Sequence, residues 1–439
     1  MKAEVNVKMN YEKEKLTLKS TMKKILSLLL MLATFSILPA SGQKSIGISS
    51  IMDSIQASNP SLRMYDAEVR SMDEAAKGAK SWMAPELSTG FFMVPYSPRY
   101  WKAMDGEPGM GQYVMAIQQV IPNPKRLNAD FRYMSSMSSV EKEKKEYTLN
   151  QLFAVAKKNY YEWIVLKKQV LIVDENEKLV DYMIQSAEIR YKNGLGKINA
   201  YYKAKASLAN IQNMKIMLDN EITQKKYILN ALMYRDKTVD FEIDTSYILK
   251  DYQEVSFDTT LFITNRSDIK SIEKEMYINT LKQETERTRL LPEFGFRFEN
   301  MYGWAQQPMQ FTAMAMVRIP MAPWSARMNK ANIESIRWKN ESLKQQKAMI
   351  INESTGMAYG MRTDILNKRK QIKLYEEKIL PALLRNYKSY QLSYEQNTEE
   401  LFELFDAWET LNMTQLEYIK QLQELLTMQV ELERILQIK

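Results

Sequence analysis

The chain has no cysteine and no histidine among its 439 residues. The first absence excludes disulfides, thiolate nucleophiles, metal–thiolate sites and a lipid-bearing N-terminal cysteine. The second removes the commonest general base and the commonest metal ligand, so any catalysis would rest on carboxylates, lysines or hydroxyls. No nucleophile–base pair or carboxylate pair stands in a pocket-forming context, and the chain reads as a non-enzyme with no cofactor and no metal site. Glycine and proline are scarce, with 13 of each, and residues 125–190 contain neither. An excess of one charge is also missing. Lys and Arg number 61 against 53 Asp and Glu, and they are interspersed. That is a mixed, solvated surface and not a nucleic-acid footprint.

Residues 22–42, "MKKILSLLLMLATFSILPASG", have the form of a secretory signal peptide. A short basic start at Lys23 and Lys24 precedes an apolar run from Ile25 to Leu38, and Pro39 leads into a small-residue cleavage site before Gln43. Residues 1–42 are assigned to this segment, with Met22 as the expected translation start. Its removal lowers the net charge from +8 to +4.

The rest of the chain is written twice. At a constant offset of 207, Leu62 meets Ile269, Val69 meets Met276, Met83 meets Leu290 and Pro85 meets Pro292. Each copy is an amphipathic helix ended by proline, followed by alternating segments. In "EFGFRFENMYGW" (293–304), Phe294, Phe296, Phe298, Tyr302 and Trp304 share one parity, and Gly295, Arg297 and Glu299 share the other. "FTAMAMVRIP" (311–320) alternates again. In the first half, 86–94 and 112–122 flank a Pro/Gly-rich loop. Two hairpins are expected, 86–122 and 293–320, with strands of about ten residues, the length a tilted strand needs to cross a bilayer. A soluble half-buried hairpin would alternate in the same way. The signal peptide, and the pair Tyr302/Trp304 placed like an interfacial girdle, favour the bilayer.

Both hairpins end in proline pairs, Pro122/Pro124 and Pro320/Pro323, and launch long helical segments. Trp163, Leu166, Val170, Val173, Val180 and Met183 follow coiled-coil spacing, as do Leu401, Leu404, Trp408, Leu411, Tyr418, Leu422, Leu425, Leu432 and Leu436. Only Gln415 and Gln429 interrupt the second series. In "RYKNGLGKINAYY" (190–202), Gly194 and Gly196 end one long helix and turn the chain into the next, as glycine does at a helix C-terminus. The twin is "SYEQNTEELFELFDAW" (393–408), 203 residues on, where Tyr394 matches Tyr191 and Asn397 matches Gly194. Asparagine is the next best residue for a left-handed turn. "GLGK" is no phosphate loop, since Tyr191 stands where the first glycine is needed and Ile198 where Ser or Thr is needed.

This ordered set of signal peptide, duplication, two strand hairpins and two helical hairpins resembles the TolC-like outer-membrane efflux protein family. Within that family, "GFFMVPY" (90–96) resembles the heavy-metal, CusC-like branch. The resemblance implies a mainly α chain with a β-barrel part. Its parts would be duplicated long antiparallel coiled-coil hairpins and four transmembrane strands per chain, assembled as a trimeric α/β barrel. Along the sequence this gives a first repeat at 43–233 with its tip at 191–197, an equatorial linker at 234–264, and a second repeat at 265–439 with its tip at 394–400. The function implied is a passive exit duct in the outer membrane of a Gram-negative bacterium, reaching into the periplasm. Its implied partners are the homotrimer copies, a periplasmic adaptor, an inner-membrane transporter of RND type and the lipid bilayer, with no nucleic acid. By match to the family's tips, Tyr191, Gly194, Leu195, Asn397 and Thr398 would dock the adaptor. Glu403 and Asp406, with Tyr394, would form the gate. The family's latch arginine and its aspartate partner are Glu399 and Ala200 here, which leaves Lys197 as a candidate cation.

A secreted structural coiled-coil protein without a channel is the main alternative. A periplasmic adaptor is a further one, against which the duplication argues. The 30 methionines admit soft-cation ligation but also serve as filler of helical cores.

Overall fold

The computed structural model describes residues 45–438 except 195, 196 and 256, with the backbone alone at 200. The expected signal peptide and Leu195 lie outside the described residues.

Two short helices, α1 (Ile48–Ser58) and α2 (Pro60–Lys77), are separated only by Asn59, whose side chain accepts from the Ser61 amide at 3.0 Å and starts α2. Strands β1 (Glu86–Phe92) and β2 (Gln112–Ile121) follow, and then α3 (Pro124–Lys192), of 69 residues. With no proline or glycine to break it, α3 runs for roughly 100 Å. Its start is fixed by Pro124 at the first position and by the Asn123 side chain, which accepts from the Lys125 amide at 2.9 Å. Helix α4 (Ile198–Leu232) returns alongside it. The second half repeats the plan with α5 (Thr259–Asn265), α6 (Ser267–Thr288), β3 (Glu293–Gly303), β4 (Gln310–Arg318), α7 (Pro323–Leu374), α8 (Leu380–Glu395) and α9 (Leu401–Leu436). Helix α5 begins within the stretch expected to be linker, 234–264, and ends one residue beyond it. It matches α1 and is broken from α6 at Arg266 as α1 is from α2 at Asn59.

Between α7 and α8 the helix widens. Tyr375–Ile379 forms a π turn in which the Leu380 amide bonds back to the Tyr375 carbonyl. Pro381 stands just beyond, with no N–H to offer and a ring that would press on the preceding turn. The wider turn accommodates it without ending the helix.

The four strands form one antiparallel sheet in the order β1-β2-β3-β4. The two hairpins meet where β2 pairs β3, with Tyr113 opposite Tyr302 and Ile117 opposite Phe298. The helices below keep the same order, α2 against α3, α3 against α6 and α6 against α7. Further along, α4 packs on α3, α3 on α9, and α9 on α7 and α8. The described chain is thus a strip, four elements wide, with free edges along β1/α2/α4 and β4/α7/α8.

Register puts Phe294, Phe296, Phe298 and Tyr302 on one face with Leu87, Phe91, Phe311 and Val317. That face is the exposed one: Phe294 is 55% exposed, Phe311 71% and Phe91 75%. Gly295, Arg297 and Glu299 lie half-buried on the opposite face, together with Met316. A soluble hairpin would bury its rings. Here the pattern is inverted, as a lipid-facing sheet requires. Trp304 lies across Gly111, where an added Cβ would come within 2.2 Å of the indole, and it contacts Phe91 at 6.1 Å between centroids. Among the described residues no helix is long and apolar enough to cross a membrane.

The helical core follows the predicted coiled-coil positions. Val173, Val180 and Met183 of α3 cluster with Leu401, Leu404, Trp408 and Leu411 of α9. Gln429, one of the two interruptions, is buried because its amide serves the connecting segment. It accepts from the Lys250 amide at 3.2 Å and donates to the Ile248 carbonyl at 3.3 Å. One turn on, buried Glu433 accepts from Lys157 at 2.7 Å, Lys250 at 2.6 Å and the Tyr252 hydroxyl at 3.3 Å. The connecting segment is fastened to α3 and α9 at this point.

Candidate functional site at the hairpin tips

The two tips have matching backbone geometry. Gly194 has φ +73° and Asn397 has φ +60°, both left-handed. The Gly194 amide donates to the Tyr191 carbonyl at 3.0 Å, and the Asn397 amide to the Tyr394 carbonyl at 3.1 Å. Thr398 closes its turn with both amide and hydroxyl on the Ser393 carbonyl, each at 2.9 Å. Tyr191, Gly194, Asn397 and Thr398 are all exposed at the ends of the hairpins.

The two tyrosines differ sharply. Tyr191 is 48% exposed, whereas Tyr394 is 2% exposed. Tyr394 is covered by Arg190, whose guanidinium carbon sits 3.9 Å from the ring centroid and whose Nη2 donates to the Tyr394 carbonyl at 2.6 Å. The same nitrogen donates to the Asn397 side-chain oxygen, and Ser186 Oγ donates to the Tyr394 hydroxyl at 3.2 Å. The first hairpin therefore grips the second through Arg190. Arg190 opens the stretch 190–202 but carries no sign of this role in the sequence. Its signal, an arginine directly before a tip tyrosine, is indistinguishable from a solvated helix charge until the partner hairpin is placed.

Lys197 does find a carboxylate across the tips, although it is Glu400 and not Glu399. Nζ donates to both Glu400 oxygens at 3.0 Å. This pair is solvent-exposed and contributes little stability alone.

Glu403 and Asp406 lie three residues apart on the first turns of α9. Asp406 is exposed and Glu403 half-buried, with Glu403 Oε2 shielded from solvent and without a hydrogen-bond partner. Deeper on the same helix, Trp408 Nε1 donates to Asn176 on α3 at 2.6 Å and holds α9 to it. Among the described residues no group of three or more carboxylates is arranged to hold a metal ion. Met314 and Met316 share the sheet face of Arg297 and Gly295.

Residues 51–233 match the sequence model of the outer membrane efflux protein family. No curated protein matches the chain by sequence. The fold is similar to that of the outer-membrane channel OprN, at TM-score 0.70 and 13% identity over 89% of each chain. It is also similar to the channel protein CusC, at 0.69 and 13% identity over 92% of this chain and 95% of that one. VceC of Vibrio cholerae matches at 0.67 and 14% identity over 89% of this chain and 95% of that one. The first repeat thus matches the outer membrane efflux protein family by sequence, and the fold across both repeats is similar to that of solved outer-membrane channels.

Proposed function

We propose that the protein is the passive exit duct of a tripartite exporter. In this reading three copies share one barrel in the outer membrane and one helical tunnel below it. The observation that carries the reading is the inverted sheet, with rings on the exposed face and charges on the other, standing above a strip of helices with two open edges. Four strands cannot close a barrel, and unpaired strand edges cannot face hydrocarbon, so copies must complete the sheet.

The tips would dock a periplasmic adaptor through Tyr191, Gly194, Leu195, Asn397 and Thr398, and the adaptor would connect to an inner-membrane transporter of RND type. Glu403 and Asp406 would repeat around the axis as two rings of three carboxylates, a constriction that attracts cations. Tyr394 would take part by holding the second hairpin against the first. The duct performs no chemistry, and energy comes from the inner-membrane partner.

Reconstitution of the membrane-extracted protein into planar bilayers tests the reading. A cation-selective pore with long closed intervals is expected. Absence of any conductance from trimeric, detergent-solubilised protein would point to the structural coiled-coil alternative.

A further inference from the structure

The residues between Phe92 and Gln112, 93–111, join β1 to β2 at the end of the sheet away from the helices. A connection of this length is usually functional or unstructured, and this one is built. Pro98–Trp101 forms a single 3₁₀ turn. The Trp101 indole nitrogen donates to the Pro95 carbonyl at 2.8 Å, and the Met110 amide to the Tyr100 carbonyl at 2.7 Å. Met104 and Glu107 exchange both amide bonds, at 3.1 and 2.9 Å, around left-handed Asp105 and Gly106. The Gly109 amide donates to the Ala305 carbonyl of the β3–β4 turn at 2.9 Å. Nothing larger than glycine fits there, since an added Cβ would lie 2.6 Å from the Trp101 carbonyl oxygen and 2.7 Å from Ala305 Cβ.

What this packed unit shows to its surroundings is aromatic and cationic. Arg99, Tyr100, Trp101 and Lys102 follow one another and are all exposed, Tyr100 at 55% and Trp101 at 44%. Tyr96 is fully exposed. Among the described residues neither Arg99 nor Lys102 forms an ion pair. The carboxylates of the loop, Asp105 and Glu107, belong to the separate Met104–Glu107 turn. Hydrogen bonds and close packing already hold the loop, so rings left in the open mark a contact surface. That surface continues the ring face of the sheet. Phe91, at the end of β1, contacts Tyr113 at 5.7 Å and Trp304 at 6.1 Å between centroids.

We propose that residues 96–102 dock the phosphorylated sugar headgroups of a glycolipid in the outer leaflet. The guanidinium of Arg99 matches a phosphate with two parallel hydrogen bonds, and Lys102 adds a second positive charge three residues on. Tyr96, Tyr100 and Trp101 each join an apolar ring to one polar atom, the chemistry favoured at the boundary between acyl chains and headgroups. The occupant is lipid because the surface runs on without a break from the lipid-facing side of the sheet. A free anion would use the two cations and leave the rings idle. Because the loop is already ordered, binding costs little conformational entropy. The inference rests on the assembly reading above, which sets this end of the sheet at the outer leaflet.

Native mass spectrometry of the full chain, extracted from membranes in detergent, measures binding of added lipid A, a bisphosphorylated glucosamine lipid. R99A/K102A should weaken that binding about tenfold. Y96A/Y100A should weaken it as well, and D105N/E107Q on the neighbouring turn should not. All six side chains are exposed, so trimer yield should match the parent protein in every variant. Lipid A stripped of its phosphates should bind the parent protein as weakly as lipid A binds R99A/K102A. Equal binding of lipid A to parent and R99A/K102A trimers would overturn the proposal and leave the duct reading standing. Phosphatidylglycerol bound as tightly as lipid A, or lipid A fully displaced by millimolar inorganic phosphate, would overturn the glycolipid assignment. A protein that forms no trimer would overturn the assembly reading beneath it.

Discussion

Arg190 lies over the ring of Tyr394, 3.9 Å from guanidinium carbon to centroid, and also holds that residue's carbonyl at 2.6 Å. One side chain thus fastens the two hairpins by a stacked cation and charged hydrogen bonds at once. Replacing it with alanine removes about 2 kcal/mol of inter-hairpin attachment per protomer. R190A should therefore raise the time-averaged conductance in planar bilayers while leaving the trimer intact. R190K keeps the charge but not the planar fork, and should fall between. Unchanged conductance in R190A would show that the tips are held elsewhere.

The buried Glu433 gives a stability prediction with a definite pH sense. Burial alone would push its carboxyl up, but hydrogen bonds from Lys157 and Lys250, with their charges, hold it below the usual range. The contribution of this carboxylate is then full above the unfolded value of about 4.3. It is lost as the pH falls through the folded value. E433Q leaves Lys157 facing a neutral partner in a buried site and should cost about 3 kcal/mol at neutral pH. Thermal unfolding in detergent should show a smaller gap between E433Q and the parent protein under acid conditions than at pH 7.

The two sheet faces should respond oppositely to the same substitution. Phe296 is on the exposed ring face, and Thr312 is on the half-buried face beside Glu299. Arginine at a lipid-facing mid-strand position costs roughly 2–4 kcal/mol, whereas a lumen position tolerates it. F296R should abolish assembly in the membrane fraction and T312R should not. Equal tolerance of both would contradict the assignment of faces.

Neutralising the carboxylates at the start of α9 tests the constriction. E403Q/D406N should reduce cation-over-anion selectivity, measured as the reversal potential under a salt gradient. It should leave trimer stability unchanged, because Asp406 is exposed and Glu403 Oε2 has no partner to lose. An unaltered reversal potential would place the selective constriction elsewhere in the duct.

Much of this was legible in the sequence because the responsible forces act locally. Period-two alternation in Phe294–Tyr302 fixed the strand faces, the gap without proline or glycine over 125–190 fixed the length of α3, and the left-handed turns sit at Gly194 and Asn397 as read. Alternation alone does not say which face meets solvent, and the soluble hairpin stayed open until register and exposure put the rings outside. Features that depend on a distant partner were hidden. Arg190 acquires meaning only when residue 394 is beside it, and Gln429 reads as a coiled-coil defect until the Ile248 and Lys250 backbone is in place. Helix α5 is hidden as well, because a helix of 7 residues is too short for its pattern to stand out. Pro381 gave a breaker signal, but the π turn that absorbs it is a backbone response that side-chain pattern does not encode.

Particle imaging of the membrane-extracted protein in detergent bears most directly on the central claim. A three-fold particle is expected, with a detergent belt around a closed barrel at one end and a helical tunnel of roughly 100 Å beyond it. A detergent-independent monomer, or a rod with no belt, would contradict it.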